Sequence, residues 1–100
     1  MSDSGKEASV RLNITIASGS GTGNISKRWD IARWIRVVPV AESDTYDMNV
    51  KDSDGHLIMS RTSVTGTMSE QLDISLGIAA TVNISSAAQD GTYVVKFDLH

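Results

Sequence analysis

The sequence has no cysteine, a single proline and only five aromatic residues among its 100. Without cysteine neither disulfides nor thiolate zinc sites are available, so packing and backbone pairing must hold the fold. No stretch approaches the ~18 apolar residues of a membrane span. The first seven residues, Met1 to Glu7, are polar and lack the apolar core of a secretory signal. The expectation is a protein made in the cytoplasm and kept there unless it leaves by assembly into something larger or by lysis, with no membrane partner. Charge is nearly balanced at −3, too small an excess of one sign for wholesale disorder. Histidine occurs twice, at His56 and His100, and no Gly-x-Ser-x-Gly elbow is present. Nucleophilic catalysis needs a hydroxyl or thiol held against a base, so no catalytic residue is assigned and the chain is expected not to be an enzyme.

What the sequence does have is serine, threonine, valine and isoleucine. Val, Ile and Thr favour strands through stiff χ1 torsions and good packing on a pleated surface. Val10, Leu12, Ile14 and Ile16 alternate with polar residues, the period-two signature of a half-buried strand. Ser18 to Asn24 reads as a flexible loop. Ile25 to Val40 is continuously apolar enough to suggest a strand covered on both sides, ended or edged by Pro39, with one helical turn possible at Ser26. Tyr46, Met48 and Val50 alternate, Asp52 to Gly55 supplies hairpin-turn chemistry, and His56 to Thr62 reads as the returning strand. Ser63 to Ser69 reads as a loop with room for part of a strand. Two further alternating runs flank Gly77, and a last strand carries Tyr93, Val95, Phe97 and Leu99 on one face.

One-sided amphipathic strands bury their apolar faces by stacking two sheets. The expected fold is therefore all-β: one antiparallel sandwich of six to eight short strands over residues 8–100, immunoglobulin-like or jelly-roll-like, behind a flexible arm at 1–7.

Two motifs invite chemistry and fall short of it. The glycines of Gly19-Ser20-Gly21-Thr22-Gly23 miss the dinucleotide fingerprint, whose third glycine comes one position later, and no Gly-Lys-Ser or Gly-Lys-Thr follows. The segment 42–54 holds Glu42, Asp44, Asp47, Asp52 and Asp54 against Lys51, oxygen ligands of the kind calcium takes. An EF-hand loop starting at Asp47 would, however, place Asp52 where glycine is required. Turn chemistry and surface charge account for the cluster, and neither a metal nor a cofactor is assigned.

The compositional anomaly is Lys27 to Arg36, which holds four of the nine basic residues, both tryptophans and one acid. Its charge is +3 in a chain whose remainder sums to −6. Trp and Arg are enriched where proteins bind, because they combine large apolar area with fixed hydrogen-bond geometry. Arg28, Trp29, Arg33, Trp34 and Arg36 are therefore the protein-contact candidates. An odd separation on a strand sends Trp29 and Trp34 to opposite faces. One then belongs to the core, and the other is either a candidate anchor or the cover of a sheet edge under its own arginines. Nucleic acid is disfavoured by the overall acidity, whereas a sugar stacking on an exposed tryptophan is the alternative ligand.

Asp90-Gly91-Thr92-Tyr93 resembles the start of a late strand in immunoglobulin-like sandwiches, where the tyrosine hydroxyl ties the preceding loop to the sheet. The short, cysteine-free β-sandwich behind a polar arm and without a signal is similar to the small accessory proteins of tailed-phage virions. That resemblance implies a non-enzymatic capsid decoration, neck or tail component in the virion. It implies other virion proteins and further copies of the same chain as partners, engaged through sheet edges and the Arg/Trp-rich strand.

Overall fold

A computed structural model describes residues 8–25, 31–75 and 79–99. The expected arm at 1–7, the possible turn at Ser26, and the side chains of Lys27, Arg28, Trp29 and His100 lie outside these residues.

Eight strands form: β1 (Ala8–Ile16), β2 (Gly21–Ile25), β3 (Ile31–Val38), β4 (Thr45–Asp52), β5 (Leu57–Thr65), β6 (Met68–Ser75), β7 (Ala80–Ser85) and β8 (Gly91–Leu99). They make two antiparallel four-stranded sheets, ordered β1-β8-β3-β6 and β2-β7-β4-β5. The first strand pairs with the last, the second with the seventh, the third with the sixth and the fourth with the fifth. This is a long antiparallel ribbon rolled on itself, the jelly-roll order. Of the two sandwich arrangements the sequence allows, the pairing selects this one. Among the described residues no helix is long and apolar enough to cross a membrane.

The alternation read from the sequence is what fills the interior. Ile14, Ile16, Ile35, Val37, Tyr93, Val95 and Phe97 of the first sheet face Ile25, Tyr46, Met48, Val50, Val82 and Ile84 of the second, all buried. Each such side chain contributes about 1.5–3 kcal/mol when taken fully out of water, and this burial decides which face of each strand points inward.

Four local expectations are corrected. The segment 18–24 is mostly strand: only Ser18 and Gly19 form the turn, and Gly21 opens β2 because bare glycine backbone fits against β1. The turn is also held, since the Asp90 carboxylate accepts the backbone N–H groups of Ser18 and Gly19 at 3.2 and 3.1 Å. Within 63–69 strand takes the larger part and the loop shrinks to Gly66 and Thr67, because β5 runs on to Thr65 and β6 begins at Met68. The positive φ of Ser63, 54°, lets a bulge carry β5 past β4, with the Ser63 N–H donating to Asp47. β3 is covered on one side only: Ile35 and Val37 are buried, while Arg33, Trp34 and Arg36 are exposed. Finally, Tyr93 does not tie a loop to the sheet, for its buried hydroxyl has no hydrogen-bond partner among the described residues. Tyr46 fills that role, its hydroxyl donating to the Gly66 carbonyl at 2.8 Å.

The open sides of the sandwich are closed by different devices. At the β1/β2 side the glycines of β2 nestle against Ile14 and Leu12. At the β5/β6 side the Arg61 guanidinium holds Glu70 with two hydrogen bonds, 2.6 and 2.8 Å long. These bonds raise the Arg61 pKa above its ordinary value. Both side chains keep solvent contact, so Arg61→Ala is expected to cost less than about 1 kcal/mol and to matter less still at high salt. Urea midpoints measured at low and high ionic strength check this.

Candidate recognition surface

The outer face of the first sheet carries the strongest departure from an ordinary polar surface. Inward Val95 and Phe97 force Lys96 and Asp98 of β8 outward, and inward Ile14 and Ile16 leave the alternate positions of β1, Arg11 among them, facing solvent. β3 adds Trp34 and Arg36 by the same alternation. The ladder then sets Arg11 opposite Lys96 and Lys96 opposite Arg36, three cations in one row across three strands. With strands about 4.8 Å apart, the row is about 10 Å long. Like charges directly opposite one another destabilise a sheet. Among the described residues the ion pairs are His56 with Asp52 and Arg61 with Glu70, so none of the three is neutralised by a described carboxylate.

The next row runs Ser9, Asp98, Trp34 and Gln71. Asp98 accepts a hydrogen bond from the Ser9 hydroxyl at 3.1 Å. The Trp34 indole N–H donates to the Ser69 hydroxyl at 2.6 Å, while the residue remains 40% exposed. The ring is thus anchored at its polar edge with apolar surface left in water. Trp34, Arg36, Lys96 and Asp98 line a shallow depression of about 210 Å³.

The outer face of the second sheet is different in kind. Thr22, Asn83 and Asn49 sit in register and are joined by hydrogen bonds of 3.0 and 2.9 Å, and Thr81 donates to Asn24 beside them. Along that row the amide and hydroxyl groups are spent on each other, with Asp47 and Lys51 of β4 flanking it.

Of the residues singled out from the sequence, Arg33, Trp34 and Arg36 share this region, whereas Arg28 and Trp29 lie outside the described residues. Arg33 occupies a bulge where the register of β3 shifts against both neighbours. The extra residue turns Ala32 and Ile35 to the same inner side, so counting odd and even positions from Trp29 to Trp34 does not carry across it. Composition and spacing do not single out Arg11 and Lys96. Their signal was outward placement on β1 and β8, which acquires meaning only once those strands, the first and last of the chain, are known to pair.

The acidic segment disperses into structural work. Buried Asp44 accepts the Ala41 N–H and the Gln89 amide, closing loops at one end of the sandwich. Glu42 accepts both the N–H and the hydroxyl of Thr67, which hold its carboxyl below the usual range. Asp47 takes the Ser63 N–H. Asp52 accepts the N–H groups of Asp54 and His56, an Asx turn that holds the hairpin, and the His56 N–H most of all lowers its pKa. Ligand atoms of Asp52, Asp54 and His56 come within 4.8 Å of one another. They are exposed on a hairpin tip, and Asp52 is already engaged by the turn itself. The glycine loop is likewise occupied: Asp90 holds the Gly19 N–H, Ser20 donates to the Ala17 carbonyl, and Gly21 to Gly23 belong to β2.

No protein-family model matches the chain and no curated sequence is significantly similar to it.

Proposed function

We propose that the chain is a non-enzymatic recognition and assembly module that docks through the outer face of its first sheet, as an accessory component of a virion present in several copies. One observation carries the reading: Arg11, Lys96 and Arg36 stand in cross-strand register without a described counter-charge, beside a half-exposed Trp34. A sheet surface selected only for folding gains from alternating signs, so a row of like charges set opposite one another is a cost that binding offsets. The virion setting rests on analogy, the jelly-roll order being one that capsid domains use. Edge pairing would add contacts. β5 is interrupted by two bulges, which discourage it, whereas β1 pairs with β8 over its whole length without one.

Sedimentation velocity of the purified chain, and of a variant carrying Arg36→Glu with Lys96→Glu, tests the proposal. Expected are a discrete oligomer, or capture by purified capsids or tails, and its loss on charge reversal. A strict monomer that ignores both overturns it.

Sugar binding is the second reading. It is favoured by the anchored Trp34 ring with Asp98 as a hydroxyl acceptor in the same depression.

A further inference from the structure

We infer that the depression between Trp34, Arg36, Lys96 and Asp98 takes an acidic sugar unit of a carboxylated or sulfated polysaccharide, with the chain continuing along the row toward Arg11. The inference rests on the proposal that this face is the recognition surface, and goes beyond it by giving the chemistry of one occupant.

The residues divide the work as such a ligand requires. Trp34 is held by its indole N–H to Ser69, so the ring keeps one orientation while part of it stays in water. A fixed, partly exposed aromatic face suits the apolar C–H side of a pyranose, with little ordering entropy left to lose. A neutral sugar would need nothing more than this and a few hydroxyl partners. Here Arg36 and Lys96 line the same depression and Arg11 follows in register, which places positive charge where carboxylates or sulfates would lie. Arg forks carboxylate and sulfate in two bonds, while Lys supplies a point charge. The cations repeat at the strand spacing of about 4.8 Å, close to the length of one sugar unit, so successive acidic units would meet successive cations.

Asp98 decides between polyanions. A carboxylate within the depression accepts hydrogen bonds from sugar hydroxyls, which flank the acidic group on every unit. A single-stranded DNA backbone or a run of acidic side chains brings no such hydroxyls to offset the repulsion, whereas the chain's net charge of −3 opposes every polyanion alike.

The test uses the whole chain in a Trp29→Phe background, so that Trp34 alone reports by fluorescence, with calorimetry alongside. Polygalacturonate, dextran sulfate, neutral dextran and oligothymidylate are the probes. Expected is a shift in Trp34 emission with both acidic polymers, binding at least about tenfold tighter than to dextran, and weakening as salt is added. Arg36→Gln with Lys96→Gln, two exposed positions that leave the core untouched, should lose about tenfold in affinity with an unchanged circular-dichroism spectrum. Equal binding of dextran and dextran sulfate overturns the inference, as does failure of both acidic polymers to bind or indifference to the double substitution. Tighter binding of oligothymidylate than of polygalacturonate overturns it too, and gives the face to single-stranded nucleic acid. If no polysaccharide binds while charge reversal at Arg36 and Lys96 still dissolves the oligomer, this inference falls and the assembly reading stands.

Discussion

Gly21→Val is expected to lower stability by about 3 kcal/mol or more, the upper end of what overpacking a core does. A Cβ built on Gly21 would run into the Thr15 carbonyl oxygen and lie 2.9 Å from methyl carbons of Ile14 and Ile16. The isoleucines have rotamers to try. The carbonyl has none, because Thr15 belongs to β1, which is fixed in register against β8 from Ala8 to Ile16. Relief therefore requires β2 to move off β1, opening the side of the sandwich that no ion pair or helix covers among the described residues. Gly55 provides the control. Nothing lies within 4 Å of its added Cβ, and its φ of +85° makes the cost conformational alone, about 1 kcal/mol for Gly55→Ala. Urea unfolding with an unchanged m-value measures both. A Gly21→Val protein as stable as Gly55→Ala would mean that the two strands do not approach this closely.

That close approach also marks the limit of what the sequence discloses. Period two is a local property, and where packing rewards it the pattern is legible: Tyr46, Met48 and Val50 of β4, and Tyr93, Val95 and Phe97 of β8, all point inward as their spacing dictates. β2 is invisible to the same reasoning, since its inward positions include Gly21 and Gly23, which have no side chain to show a period. Their use is to let another strand's isoleucines in. The candidate surface follows the same rule. Trp34 and Arg36 stand out by composition on one strand, but a row made of Arg11, Lys96 and Arg36 joins positions far apart in the chain. Only strand order makes it, and strand order follows from how the rolled ribbon closes, not from any one segment. Where β3 bulges at Arg33, even the parity of its faces is set by neighbours.

The two buried tyrosines should respond in opposite senses to loss of their hydroxyls. They meet edge to face, ring centroids 5.2 Å apart at 88°, and phenylalanine preserves that contact at either position. Tyr46→Phe removes the donor that satisfies the Gly66 carbonyl at the β5–β6 turn. The carbonyl is left in a site closed to water, at an expected cost of about 1–3 kcal/mol. Tyr93→Phe removes a hydroxyl with no partner among the described residues, so it should be neutral or stabilise by up to about 1 kcal/mol. Alkaline titration separates the same two residues. Burial, before any charge effect, raises both phenol pKa values above 10.0. The unfolded chain therefore gives up these protons near pH 10 while the folded chain keeps them. Their contribution to stability is whole below that pH and is lost as pH climbs through the interval up to the folded-state values, because the unfolded state then binds fewer protons. Each Tyr→Phe change should flatten this fall, and Tyr46→Phe the more, since its hydroxyl is the more strongly shifted. Urea midpoints followed from neutral pH to beyond pH 10 check the sign. A Tyr93→Phe protein that loses as much stability as Tyr46→Phe would show that the Tyr93 hydroxyl has a partner after all.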